Sequence, residues 1–218
     1  MIDEQGRNIR YLRLSVTDLC PLRCIYCMPE PGVEKLAHGQ ILTVEECVEL
    51  CRACAELGID KIRITGGEPL VRRGIVDICR GIGGIEGIRE LCLTTNGVLL
   101  PRYARELAEA GVSRLNISLD TLDPEKYRRI TRVGEMGDCL AGLEAAEKYF
   151  KNTKINCVLI GGINDDEIPT LVGLTREHAI DLRFIELMPI GECAGWDRGR
   201  FIGGDAVLAA VPELAPCG

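Results

Sequence analysis

The sequence predicts an α/β protein, a partial (βα)6 TIM-like barrel on a parallel sheet. Short runs rich in Ile, Val and Leu recur at fairly regular distances, segments of helical period lie between them, and polar, glycine-bearing stretches stand where the runs end. Strands alternating with helices give a parallel sheet with right-handed crossovers. Six strands suit a partial, open barrel in a chain of 218 residues, since a closed eight-stranded barrel takes about 250. No linker, low-complexity tract or solenoid repeat breaks the pattern.

The first strand is RYLRLSVT (10–17), with Leu12, Leu14 and Val16 on one face and Arg13, Ser15 and Thr17 on the other. TVEECVELCRACAELG (43–58) follows as a helix, opened by a capping box of Thr43 with Glu46 and stopped at Gly58. DKIRITG (60–66) is the second strand, in which Ile62 and Ile64 oppose Lys61, Arg63 and Thr65. RRGIVDICRGI (72–82) reads as a helix before the third strand, IRELCLTT (88–95). YARELAEAG (103–111) is helical and RLNISLD (114–120) extended. The run EKYRR (125–129) reads as a solvated face. Helix DCLAGLEAAEKYF (138–150), strand KINCVLI (154–160), helix EIPTLVGLTREHA (167–179) and strand DLRFIELM (181–188) complete the alternation. The strand ends read TDLC, TGGEP, TTNG, SLDT, GGIND and ELMP, and the carboxyl ends of strands are where such folds gather their chemistry.

A net charge of −7 and a pI near 5.1 argue against a general nucleic-acid surface. They leave room for a local basic pocket that takes a phosphorylated small molecule. The charged start MIDEQGRNIR lacks the apolar core of a signal peptide, and no apolar run is long enough for a membrane span. Twelve cysteines without a signal peptide point to a reducing cytoplasm, where thiols bind metal or sit in the core.

Two cysteine triplets share the spacing C-x3-C-x2-C: CPLRCIYC (20–27) and CVELCRAC (47–54). The second lies inside the capped helix, where Cys47, Cys51 and Cys54 form one stripe and a helical rise separates its ends by roughly 10.5 Å. It reads as core packing. The first follows a strand directly, and Pro21 discourages a regular helix, so a loop can turn Cys20, Cys24 and Cys27 toward one point. Three thiolates leave one iron of a four-iron cluster without a protein ligand; the competing reading is zinc with His38 as fourth ligand. Cys79, Cys92, Cys139 and Cys157 read as core thiols, and Cys193 and Cys217 as unconnected. An arginine inside a strand is costly to bury unless paired, so Arg13 and Arg63 on neighbouring strands suggest a polyanion, although from the residues alone a solvated or salt-bridged arginine is the preferred reading.

The triplet with Tyr26 before its last cysteine resembles the signature of the radical S-adenosylmethionine (SAM) enzymes, and GGEP (66–69) their SAM-binding motif. LRLSVTDLCPLRCIYCMPE, KIRITGGEPLVRR, LTTNG, NISLDTLD, INCVLIGGIND and RFIELMPIG, in that order, resemble the GTP 3′,8-cyclases of molybdenum cofactor biosynthesis. The resemblance implies a lyase with a radical SAM core. Reductive cleavage of SAM gives a 5′-deoxyadenosyl radical, which takes a hydrogen from C3′ of GTP so that C3′ bonds to C8. It implies one SAM-coordinating [4Fe-4S] cluster on Cys20, Cys24 and Cys27, with Tyr26, Gly66, Gly67, Glu68, Ser118 and Met188 toward SAM. In that motif the glycines let backbone approach the ligand and Glu68 accepts from its ammonium group. Arg13, Arg63, Thr94 and Lys154 are implied toward GTP; no catalytic side chain is assigned. It further implies an electron donor such as flavodoxin or ferredoxin and admits a homodimer, with no membrane or nucleic-acid partner. Met188 alone would read as core packing.

The expected domains are a radical SAM core over residues 1–196 and, over 197–218, the truncated start of a C-terminal region. The family's second-cluster motifs, in that later region, are missing from this sequence, which puts complete GTP cyclisation in doubt. The alternatives are a radical SAM enzyme of another specificity and a non-catalytic metal-binding remnant.

Overall fold

Each of the six apolar runs is a strand in the computed structural model, which describes residues 2–34 and 36–216 and, of His38, the backbone alone. The strands are β1 (Tyr11–Ser15), β2 (Lys61–Thr65), β3 (Glu90–Thr95), β4 (Arg114–Ser118), β5 (Thr153–Leu159) and β6 (Ile180–Glu186). They stand in chain order in one six-stranded sheet, with β1 to β4 paired in parallel. An order without reversal is that of a singly wound barrel wall, not of a doubly wound sheet.

The helices are α1 (Val44–Glu56), α2 (Ile75–Gly83), α3 (Leu100–Glu109), α4 (Pro124–Thr131), α5 (Met136–Tyr149), α6 (Ile168–Glu177) and α7 (Asp205–Ala210). The capping box forms: Glu46 N donates to Thr43 Oγ1 at 3.1 Å and Thr43 N to Glu46 Oε2 at 2.8 Å. EKYRR is more than a solvated face. It lies in α4, capped by Asp123, and buries Tyr127 while Arg128 and Arg129 stay exposed. Among the described residues, no helix is long and apolar enough to cross a membrane.

The chain divides into two compact units. The first comprises Met1–Pro21, Val33–Ile117 and Asp138–Thr153; the second comprises Leu22–Gly32, Ser118–Gly137 and Lys154–Gly218. In the first, alternation along the strands sends Ile62, Ile64, Leu91, Leu93, Leu115 and Ile117 into the core, and α2 and α3 add Ile75, Ile78, Ile82, Leu100 and Leu107. Each such side chain contributes about 1.5–3 kcal/mol by burial. The exposed pairs Arg80–Asp77 and Arg105–Glu109 are screened by water and add little, so the apolar face holds the sheet. The second unit has two clusters, one around Leu159, Ile168 and Leu171, the other around Ile130, Ile160, Ile163 and Leu187. The thiols of Cys79, Cys92, Cys139 and Cys157 are buried as expected, and Cys217 lies outside the described residues.

Candidate functional site at the strand ends

In the first unit the end of β2 and the loop after β1 are bonded together. Gly67 N donates to Thr17 O and Glu68 N to Leu19 O, both at 2.7 Å. A Cβ on Gly66 would stand 2.4 Å from Thr17 O, and one on Gly67 would stand 2.4 Å from Leu19 O. Only glycine allows that approach, and Gly66 also has a φ of +149°. The glycines are thus required by close packing against residues 17–19, immediately before Cys20. Glu68 is 1% exposed. Its Oε1 accepts from Leu70 N at 3.0 Å and Thr95 Oγ1 at 2.8 Å, and its Oε2 from Asn96 N at 2.7 Å. Burial pushes its pKa up while those three donors oppose the shift. Asn96 in turn places Nδ2 3.9 Å from Cys20 Sγ. One buried carboxylate therefore ties β2 to β3, and β3 reaches the first cysteine of the triplet.

The other face of these strands is polar. Register sets Arg13 beside Arg63 and Tyr11 beside Lys61. Arg63 is 9% exposed; its Nε donates to Tyr11 Oη at 2.6 Å and its Nη1 to Thr94 Oγ1 at 3.2 Å. Both partners are neutral, and no carboxylate pairs with it among the described residues. Lys61, by contrast, pairs with Glu90 at 2.9 Å, and Arg114 with the same carboxylate at 3.4 Å. Arg13 is exposed. A nearly buried guanidinium without a counter-charge is suited to an incoming anion.

In the second unit Cys24 and Cys27 sit on one tight turn, where Cys27 N and Met28 N both donate to Cys24 O, at 2.9 and 3.3 Å. Cys27 is exposed and Cys24 half-buried. A hydrogen bond from Cys24 lowers the Cys27 thiol pKa, against burial. Tyr26 donates from Oη to Asp120 Oδ2 at 2.6 Å, and Asp120 Oδ1 accepts from Val158 N at 2.8 Å. Burial raises the Asp120 pKa to about 6, with the Tyr26 and Val158 bonds opposing. Cys193, which looks unconnected in the sequence, is buried with Sγ 3.7 Å from Tyr26 O. Ser118 closes β4, and Lys154, near the start of β5, is held by Asp181. Met188 is 59% exposed, so core packing is not its role.

The helical triplet is different. Cys47 and Cys51 are buried in α1, and burial pushes the Cys51 thiol up to about 12. Among the described residues, no three or more His, Cys, Asp or Glu side chains gather as for a single metal ion; the His38 side chain falls outside them. Sequence reasoning missed Asp120, Thr95 and Asn96. Their only signal was their place in the polar strand ends TTNG and SLDT.

Residues 14–174 match the Radical SAM superfamily. Streptococcus suis SuiB bound to S-adenosylmethionine has the same fold, with a TM-score of 0.70 at 18% identity over 88% of this chain and 43% of that one. Fold and match together define a radical SAM protein. The GTP 3′,8-cyclase of Alkaliphilus oremlandii is 51% identical over 99% of this chain and 68% of its own length. That of Peptoclostridium acidaminophilum is 54% identical over 98% of this chain and 66% of its own. The chain belongs to the GTP 3′,8-cyclase family and spans about two thirds of the length of these relatives. Its cofactors are a SAM-coordinating [4Fe-4S] cluster and SAM. The donors fit a cluster: the thiols of Cys20, Cys24 and Cys27 lie on a loop and a turn with partial or full exposure, and thiolates are the iron–sulfur ligands.

Proposed function

We propose that this chain is the radical SAM part of a GTP 3′,8-cyclase, the first enzyme of molybdenum cofactor biosynthesis, working in the cytoplasm. The observation that carries the reading is 51% identity to such a cyclase along 99% of the chain. In this reading residues 1–196 are the radical SAM core and 197–218 begin a further region. Cys20, Cys24 and Cys27 hold the cluster, which supplies the electron that cleaves SAM. Tyr26, Gly66, Gly67, Ser118 and Met188 line the SAM side. Glu68 serves it through the strand ends it bonds. Arg63 and Arg13 receive the triphosphate, and Thr94 fixes the Arg63 fork. Lys154 exchanges Asp181 for phosphate. The uncompensated charge of Arg63 supports an anionic substrate, because phosphate oxygens restore the partner its burial removed. An external one-electron donor of the flavodoxin or ferredoxin kind completes the requirement.

The test is product analysis by mass spectrometry on the anaerobically reconstituted chain with SAM, GTP and reductant, beside a full-length relative. This chain alone should release 5′-deoxyadenosine with little cyclised GTP, since its barrel arginines hold phosphate more than base, and a misplacement of about 1 Å can cost roughly a hundredfold in rate. Absence of 5′-deoxyadenosine would sink the radical SAM assignment. Cyclised GTP at the relative's rate would show that these 218 residues suffice.

A further inference from the structure

Arg132 stands just past the C-terminus of α4 with a φ of +65°, the single positive-φ residue other than glycine among the described residues. A positive φ usually falls on glycine, because a Cβ crowds the neighbouring backbone. A costly backbone kept at one place calls for a reason in what the side chain does. Here the guanidinium folds back onto the cysteine turn. Arg132 Nη1 donates to Arg23 O and to Met28 O, each at 2.9 Å. Those carbonyls belong to the residues directly before Cys24 and directly after Cys27. The helix end completes the fastening: Arg23 N donates to Thr131 O at 3.0 Å and Ile25 N to Ile130 O at 2.9 Å. Two carbonyls that α4 leaves unsatisfied at its own terminus thus become the bed of the turn.

We infer that Arg132 is a positioning residue, a clamp that sets the Cys24–Cys27 turn for cluster binding. One guanidinium nitrogen, Nη1, bonds the carbonyls on both sides of the tetrapeptide, so the two thiols cannot spread or close independently. A charged donor on two carbonyls is stronger than a neutral one, and the positive-φ backbone lets the side chain turn back across the helix end. The strain and the clamp are one device. A residue serving only to end α4 would be better as glycine.

The inference rests on the cluster ligands proposed above, and the test separates the two. Arg132→Gly removes the clamp and relieves the backbone together. We expect a thermal midpoint equal to or above the parent's. In the apo chain the amides of Cys27 and Met28 should exchange about tenfold faster or more, the factor a charge-assisted bond carries, while the interior amides of α4 stay protected. After reconstitution the variant should lose iron to a chelator faster than the parent by a similar factor, and Arg132→Lys should fall between. Unchanged exchange at Cys27 and Met28 in Arg132→Gly would overturn the clamp, whatever the iron content. A parent that binds no iron would refute the ligand reading, and the apo exchange would still decide the clamp.

Discussion

CPLRCIYC and CVELCRAC have the same cysteine spacing and opposite chemistry. In α1 the stripe turns inward: Cys47 and Cys51 are buried, and desolvation holds the Cys51 thiol at about 12. In the loop after β1, Cys20 and Cys24 are half-buried and Cys27 is exposed, with its thiol pKa lowered by Cys24. The backbone makes the difference. A helix strings three sulfurs along its axis and packs them like small hydrophobes, whereas a loop followed by a tight turn presents them with their thiolates accessible. Spacing in a sequence is thus evidence of a ligand set only once the element that carries it is known.

The most severe way to break this contrast is substitution. Cys24→Ala should abolish the cluster's absorbance after anaerobic reconstitution, whereas Cys51→Ala should keep it and lose of order 1 kcal/mol of stability, the cost of a small buried group. Cluster loss in a well-folded Cys51→Ala would erase the distinction.

Alkylation of the apo chain sharpens it. At pH 8 a thiol with a pKa of about 12 is thiolate in about one molecule in ten thousand. Cys27 should therefore be modified by iodoacetamide early, and Cys51 only once denaturant is added, as read by peptide mass spectrometry over time. Equal rates in the native chain would mean that the helix opens.

The last test concerns pH. Asp120, on which Tyr26 of the reactive loop leans, has a pKa raised from 3.8 to about 6. The folded state therefore holds this proton more tightly than the unfolded one, and the group's contribution to stability falls as pH rises from about 4 to about 6. The loss is of order 3 kcal/mol, at 1.36 kcal/mol per pH unit. Unfolding free energies of the parent and Asp120→Asn should converge or cross over that window. Parallel pH profiles would show that the buried carboxylate titrates normally.

The strands, the α1 cap and the separation of the two triplets were legible because each rests on local chemistry: a period of two, Thr43 reaching Glu46, Pro21 within the loop. α4 escaped notice because its apolar side is short, although Asp123 before Pro124 is a start signal. GGEP was legible as a motif, but the reason for its glycines was not, since the backbone they approach first is that of residues 17–19. Asp120 and Arg132 could not be read at all. Their partners lie 94 residues away for Tyr26 and 104 for Met28, and no local pattern announces contacts of that range.

The seating of residues 17–19 against Gly66 and Gly67 bears on how the protein matures. Backbone bonds from Gly67 and Glu68 to Thr17 and Leu19 fix the root of Cys20, so that segment is ordered by the fold itself. In the proposed ligand set, metal delivery would meet a loop root already held in place. A methyl group at either glycine, 2.4 Å from a carbonyl oxygen, would act first on assembly: the strand would persist, the loop would lift, and newly made chains would wait unfilled.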